Sequence, residues 1–446
     1  MSTLSPQSYK GTRDYYPADK RIQNYIFTNW KRVAMRYGYE EYGAPLLEPL
    51  EMYTAKSGQE LANEQTYSFT DRGGRTVAIR PEMTPTISRM VAARRQEMAY
   101  PARLFSIANF MRYERPQRGR EREFCQLNMD IFGAEGALPE SEIITMGAEF
   151  LKEFGATDDM YVIKINNRKV INFMMAQYLG LDAIQAQLMI KLFDRKNKIS
   201  TEDFRDQAID IFGEATAADG LARISALLAA TSISELPEEL RDSASFAEIQ
   251  ELFTLLEKAG VKNAVFDITL MRGLDYYTGT VFEFFDTHAE NNRSLFGGGR
   301  YDGLVGLFGA EPISAVGMAP GLTMTELFLQ VHNLLPVLPS TTEVYLAVLG
   351  EDMLDDATRL AADLRTEGVN VELDFTGRKL DKQLKTAIKK EIPFIIFVGE
   401  EEVQSGMYTF KDTASSEEQK LSFERVVTTV KDRRRPHLDE LDDLFE

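Results

Sequence analysis

The stretch FSIANFMRYERPQRGREREFCQLNMDIFG, residues 105 to 133, places Arg112, Arg115, Arg118 and Arg120 in one loop between two strand-like runs. Planar guanidinium forks grip phosphate oxygens two at a time, so a loop this dense in arginine suits a polyphosphate. Along the second run Cys125, Leu127, Met129 and Ile131 alternate with Arg122, Phe124, Gln126, Asn128 and Asp130. Side chains alternate faces along a strand, so one face is apolar and the other polar. A polar face on so apolar a strand reads as a pocket lining, on which Phe124 can stack a flat base. The same residues also read as a plain two-stranded ribbon with a solvated loop, and the stretch alone leaves both readings open.

Other stretches carry related chemistry. In AIRPEMTPT, residues 78 to 86, Arg80, Glu82 and Thr84 share one face if extended. A buried Glu82 beside a threonine accepts an ammonium group; the plainer alternative is a strand-to-helix junction at Pro81. In LMRGLDYYTGTVFEFF, residues 270 to 285, Arg272 and Asp275 interrupt an apolar strand pattern. Burying them is costly unless they are paired or functional, so a β-bulge with a structural ion pair stands beside a site. Tyr276 and Tyr277 offer hydroxyls to a polar ring. Gly297 to Gly299 in FGGGRYDG allow a ligand or another strand close to the backbone. The run fits neither the dinucleotide fingerprint nor the P-loop. VGMAPGLTMTELF, residues 316 to 328, reads as a strand end, a Gly/Pro turn and a helix start, where an anion can sit. Yet no Lys or Arg occurs between Arg300 and Arg359.

The elements that must position these residues follow from periodicity. Residues 20 to 40 have apolar residues at helical spacing and end at Gly38. Short strands follow, with a hairpin turn at Gly73-Gly74. Residues 81 to 98 and 138 to 153 read as helices, and 101 to 132 as two long strands. Residues 170 to 262 read as a mostly helical insertion. Strands return over 264 to 285. LPVLPSTTE, residues 335 to 343, is a linker. Beyond it strands and helices alternate to about residue 430, as in a small α/β domain. KDRRRPHLDELDDLFE is a charged, mobile tail. The expected division is 1–169 and 263–335 for a catalytic core, 170–262 for the insertion, 342–430 for the α/β domain and 431–446 for the tail.

The 446 residues carry a formal charge of −18, which excludes a generic nucleic-acid coat. Any polyanion must be met by a local basic patch. The single cysteine, Cys125, excludes an internal disulfide and suits a reducing compartment. No secretory h-region opens the chain and no run spans a membrane, so a cytoplasmic protein is expected. His288, His332 and His437 have no metal-ligand spacing, and no metal site is expected from the residues.

Together the stretches GTRDYYP (11–17), GYEEYGAPLLE (38–48), RPEMTPT (80–86), RYERPQRGREREFCQ (112–126), RGLDYYTGTVFE (272–283) and GGGRYDGL (297–304) resemble the histidyl-tRNA synthetase family of class II aminoacyl-tRNA synthetases. The resemblance covers essentially the whole chain. It implies an α/β fold: an antiparallel class II sheet flanked by helices, a helical insertion and a C-terminal α/β anticodon-binding domain. It implies a histidine–tRNA ligase that uses ATP and Mg2+, with L-histidine and tRNA(His) as partners. Arg112 and Arg272 would meet the α-phosphate as catalytic residues. Arg112, Glu114, Arg120 and Phe124 would bind ATP. Glu82, Thr84, Gln126, Asp130, Tyr276 and Tyr277 would bind histidine. Pro45 and Glu48 belong to the dimer motif, so a homodimer is implied. Arg378, Lys382 and Lys385 fall in a basic stretch of the region that resembles the anticodon-binding domain.

Two departures stand out. Asp130 replaces the glutamate of many family members. Thr323 and Met324 occupy the places of the Glu-Arg pair of motif 3, whose arginine grips the γ-phosphate. The γ-phosphate is therefore expected to be held by the motif-2 loop alone. That loss also leaves open an inactive paralogue, such as the regulatory subunit of ATP phosphoribosyltransferase in histidine biosynthesis, or a nucleic-acid-binding accessory protein. Against the paralogue stand the retained Arg112, Arg120 and Arg272 and the C-terminal domain; an accessory protein would need no intact histidine pocket.

Overall fold

The computed structural model describes residues 4–55, 64–196, 199–230, 233–271, 276–291 and 293–433. They divide into two compact units, one from residues 1–16 and 22–335, the other from 17–21 and 336–446. Helix α1 (Pro17–Arg36) opens on a proline, whose missing N–H costs nothing at a helix start. It stops before Gly38, which takes a φ of +76°. Ile26, Trp30, Val33 and Ala34 form its buried stripe.

The next elements are β1 (Glu40–Glu41), β2 (Leu47–Pro49), α2 (Glu51–Thr54), β3 (Ser68–Thr70), β4 (Thr76–Ile79) and α3 (Thr84–Ala93). Then come β5 (Ala102–Met111), β6 (Glu123–Phe132), α4 (Leu138–Glu153) and β7 (Tyr161–Asn167). The helix expected over 81–98 is shorter because Pro85 sits in its first turn and fixes the start at Thr84. Helices from α5 (Arg168–Phe173) to α10 (Ala244–Lys258) follow. They bury their own apolar cluster, including Met174, Met189, Phe193, Phe204, Leu227 and Phe246.

After them come β8 (Ala264–Phe266), β9 (Thr280–Asp286), β10 (Ser294–Arg300), β11 (Ala315–Met318) and α11 (Leu322–Val331). The strands expected over 264–285 are β8 and β9, which are not neighbours in the sheet. Asp267 ends the first: its carboxylate accepts from the Thr269 N–H at 2.9 Å and hydroxyl at 2.6 Å, turning the chain. Among the described residues the main sheet runs β1-β5-β6-β11-β10-β9-β7-β8. It is antiparallel except at its edges, where β1 joins β5 and β8 joins β7 in parallel. One core lies between the sheet and α1, α4 and α11, around Leu127, Met129, Ile131, Phe282 and Phe284. On the other face Ile87, Phe132, Tyr276, Tyr301 and Val305 form a second cluster.

The second unit holds β12 (Val344–Val348), α12 (Leu354–Thr366), β13 (Val371–Leu373), α13 (Leu380–Lys389) and β14 (Phe394–Val398). It ends with α14 (Glu400–Ser405), β15 (Met407–Asp412), β16 (Glu418–Ser422) and α15 (Phe423–Asp432). Its mixed sheet runs β13-β12-β14-β15-β16, with apolar clusters on Val344 and Leu346 and on Tyr345 and Ala347. Strands β12 and β14 are buried along their whole length, as a sheet covered on both faces requires. The sequence reading passes over α14 and β16. Lys431 and Asp432 of the expected tail end α15, and residues 434–446 lie outside the described residues.

Candidate active site

The β5–β6 hairpin sets the geometry. Its register pairs Phe110 with Phe124 and Leu104 with Asp130. Leu127, Met129 and Ile131 enter the core. Phe124 and Gln126 are half-buried, while Asn128 and Asp130 are buried.

Asp130 lies opposite Gly317 of β11. A Cβ on Gly317 would lie 2.2 Å from the Asp130 carboxylate, so only glycine leaves that carboxylate room. The Tyr301 hydroxyl donates a short hydrogen bond to Asp130. Burial pushes the Asp130 carboxyl up to about 7, against the opposing pull of that hydrogen bond. Glu82 is also buried and accepts from the Tyr276 hydroxyl at 2.9 Å. The Tyr276 ring lies 5.2 Å from Tyr277 and 5.9 Å from Tyr301. Three tyrosines thus join two buried carboxylates into one polar cluster. Thr84 sits at the first position of α3, two residues after Glu82.

The glycine run has a packing reason. A Cβ on Gly299 would approach the Tyr277 ring to 2.9 Å, and one on Gly298 would approach the Gly317 carbonyl to 2.1 Å. Strand β10 is thus pressed between its neighbours, and Tyr277 occupies the space a side chain would take.

Arg112 donates from Nε to the Pro81 carbonyl at 2.9 Å, joining the hairpin to the segment bearing Glu82. Its guanidinium lies 5.2 Å from the Phe124 ring centre, and Phe124 stacks on Phe110 at 5.8 Å. Glu114 and Arg120 form an ion pair at 2.6 Å, which ligand must share or displace. Arg80 does not line the expected polar face. It turns to the carbonyls of Ala44 at 2.9 Å and Asn109 at 3.0 Å. Satisfying two carbonyls at once is what a rigid five-donor fork does well.

The VGMAPGL turn lies against β6: the Leu127 N–H donates to the Pro320 carbonyl at 2.9 Å, and Gln126 bridges to Gly321. Arg272 and Asp275 lie outside the described residues.

A family model described as Histidyl-tRNA synthetase matches residues 11–324, and one described as Anticodon binding domain matches 343–433. The chain is 39% identical over 432 residues to a Histidine–tRNA ligase of Leptospira biflexa, covering 96% of this chain and 98% of that one. It is 36% identical over 418 residues to a Histidine–tRNA ligase of Haloarcula marismortui, covering 92% and 94%. The chain belongs to the histidyl-tRNA synthetase family. A crystal structure of histidyl-tRNA synthetase from Nostoc sp. PCC 7120 has the same fold, with a TM-score of 0.81 at 23% identity over 97% of this chain and all of that one. The class II sheet and the C-terminal α/β anticodon domain expected from the sequence are both present.

Relative to the family's usual third motif, this synthetase fills the two altered positions with protein contacts. The Thr323 hydroxyl donates to Glu121 at 2.9 Å. The Met324 sulfur lies 2.5 Å from where a Cβ on Gly119 would stand, so the motif-2 loop closes directly over it. Arg13 of GTRD forms a forked pair with Glu326 on α11, at 2.8 and 3.3 Å.

Glu48 is buried and paired with Arg89 at 2.7 Å, and the Pro45 carbonyl accepts from Arg80 at 3.3 Å. In the anticodon domain, Arg378 pairs with Asp374 at 2.8 Å. Burial opposes ionisation of Asp374, but hydrogen bonds from Thr376, Tyr345 and Arg378 hold it down at about 2. Arg378 is thus engaged within its own domain. Lys385 pairs with Asp381 at 2.9 Å, an exposed contact, and Lys382 is exposed.

Sequence reasoning missed Tyr301 and Tyr42. Tyr301 stands in the GGGRYDG stretch, where the glycines drew attention away from it. The Tyr42 hydroxyl is buried without a hydrogen-bond partner among the described residues, close enough to Asp130 to be affected by its charge. His288 and His332 come together, with ring centres 5.7 Å apart, and His332 bonds Asp286 at 2.8 Å. No helix of the described residues is long and apolar enough to cross a membrane.

Proposed function

We propose that the protein is a histidine–tRNA ligase that condenses L-histidine with ATP and passes histidine to the 3′ end of tRNA(His). The observation that carries this reading is the pair of buried carboxylates, Glu82 and Asp130, each bonded to a tyrosine, within one polar cluster behind Arg112. Glu82, with Thr84 and Gln126, takes the substrate ammonium. Asp130 and Tyr277 take the imidazole, with Tyr276 alongside. The histidine carboxylate oxygen bonds to the α-phosphorus as the bond to the bridging oxygen breaks, and pyrophosphate leaves with the electron pair. Arg112 and Arg272 stabilise the charge that grows on the phosphoryl oxygens. Phe124 and Glu114 hold the adenine end and Arg120 the phosphates. Positioning and electrostatics suffice, and no side chain need become a covalent nucleophile.

Mg2+ binds through one or two carboxylates plus phosphate oxygens and water. Among the described residues no cluster of three acids, histidines or cysteines would hold a metal by itself. Glu121 is one carboxylate that could meet this lesser demand: burial raises its carboxyl against the Thr323 hydrogen bond and the nearby Arg13, which lower it, and Glu326 adds to the rise. When bound, Mg2+ neutralises phosphate charge. The protein works in the cytoplasm as a homodimer joined through the Pro45–Glu48 segment, and 342–430 binds tRNA.

The purified protein should catalyse histidine-dependent exchange of pyrophosphate into ATP. No exchange from a folded protein that still binds histidine would favour the regulatory paralogue instead. Replacing Lys382 and Lys385 with alanine should raise the KM for tRNA severalfold, as each lysine lost from an RNA contact weakens binding and its salt dependence. Exchange should be unchanged; equal tRNA KM values would remove these lysines from the RNA surface.

A further inference from the structure

A cavity of about 300 Å³ lies where the motif-2 loop meets the start of α11. Gln117, Arg118, Glu290, Arg293, Met324 and Leu327 line it. That volume is at the lower end for ligand pockets, a size for a polyphosphate tail and not for a whole nucleotide. Its floor is apolar, from Met324 and Leu327. Its walls bring in two guanidiniums from different elements: Arg118 from the motif-2 loop and Arg293 from the connection between β9 and β10.

The cavity adjoins the nucleotide residues directly. Gln117 and Arg120 exchange backbone hydrogen bonds at 3.1 and 2.9 Å, so Arg120 stands at the cavity's edge. Arg118 pairs with Glu290 at 3.1 Å, and both side chains are more than half exposed. A pair so wet holds weakly, and a phosphate can replace the carboxylate. Arg293 has no carboxylate partner among the described residues, so its charge is available.

The segment carrying Glu290 is tied down through residue 291. Asp286 accepts from the His288 N–H at 2.7 Å and from the Asn291 side chain at 2.7 Å. It also bonds His332 at the end of α11 at 2.8 Å. Residues 286, 288 and 291 are therefore tied to α11, the helix whose Met324 and Leu327 form the cavity floor.

We infer that Arg293, with Arg118, binds the terminal phosphates of ATP and supplies the positive charge that position 324 lacks. The γ-phosphate is then held from two elements, not by the motif-2 loop alone. This rests on the proposed ATP chemistry of the same site.

The test is Arg293→Ala in the full chain. Loss of a charged hydrogen-bonding group should raise the KM for ATP in exchange by about tenfold or more. The KM for histidine should stay near that of the unsubstituted protein. By calorimetry, affinity for ATP should fall while affinity for AMP, which lacks the two outer phosphates, stays unchanged. Arg293→Lys should recover part of the loss, and Arg118→Ala should show the same pattern. An unchanged KM for ATP in both alanine variants overturns the inference, as does a loss of AMP binding equal to that of ATP. A raised KM for tRNA with unchanged ATP binding also overturns it, assigning the cavity to phosphates of the acceptor end. Absence of exchange in the unsubstituted protein would count against the ligase reading, and the ATP-versus-AMP comparison still decides the role of Arg293.

Discussion

Replacing Arg112 with alanine is expected to lower histidine-dependent pyrophosphate exchange by about 10²- to 10³-fold, the effect of removing one fixed charge-stabilising donor. Its Nε is already committed to the Pro81 carbonyl, which aims the guanidinium plane. The two terminal nitrogens have no acceptor among the described residues, so they are free for phosphate oxygens. The guanidinium also lies over Phe124, which fixes it from the side. An aimed cation with two uncommitted donors is preorganised for charge that appears only in the transition state. Arg112→Lys should recover little, because an ammonium cannot satisfy Pro81 and a phosphate edge in one plane. Circular dichroism and the urea midpoint should report an intact fold, since the side chain is half-buried and makes one backbone hydrogen bond. An alanine variant with a near-normal rate would show that the α-phosphate is held elsewhere, with Arg272 the first candidate.

Legibility followed the range of the interaction. The β5–β6 hairpin was readable because apolar and polar residues alternate strictly along β6 from Cys125 to Ile131. Helix α4 was readable because its apolar stripe keeps helical period over sixteen residues. Helix α14 and strand β16 were passed over for the opposite reason. One is six residues long and begins with three glutamates; the other is a short edge strand whose residues are mostly exposed. Neither carries enough apolar signal to show a period. Among the candidate site residues, Arg112 was legible from the arginine density of its loop and Asp130 from a polar face on an apolar strand. Tyr301 was not, because a tyrosine is ordinary anywhere and its bond to Asp130 spans 171 residues. Arg293 was silent too: one arginine after a polar loop means nothing until folding brings Arg118 and Met324 beside it. The glycines of β10 were visible, but their purpose was not. It depends on Tyr277 and on the carbonyl of Gly317, which only the sheet order brings into range.

Asp130 should make the protein's stability fall as pH rises through neutrality. Its carboxyl moves from an ordinary value of 3.8 to about 7, because burial disfavours the charged form more than the Tyr301 hydrogen bond favours it. The folded protein therefore holds this proton more tightly than the unfolded chain does. The stabilising contribution is complete below about 4 and is lost as pH climbs toward and through about 7. The slope from one such group is at most about 1.4 kcal/mol per pH unit in that window. Asp130→Asn keeps the shape and removes the titration. Its urea midpoint, compared with that of the unsubstituted protein from pH 5 to 8, should gain steadily on the parent as pH rises. A constant difference across that range would mean that Asp130 is ionised in the folded state throughout. In the proposed binding mode, histidine links to the same group. An ionised Asp130 accepts an imidazole N–H with full charge, whereas the protonated acid offers a weaker acceptor. The KM for histidine should accordingly rise as pH falls below about 7, beyond what the substrate's own ring titration produces. The asparagine variant should retain only the substrate's part of that profile, at a higher KM throughout. The Tyr42 hydroxyl, which has no hydrogen-bond partner among the described residues, is close enough to Asp130 to feel its charge. Tyr42→Phe should therefore change the histidine KM in the parent and have little effect once Asp130 is asparagine, because the two groups act on the substrate through one another.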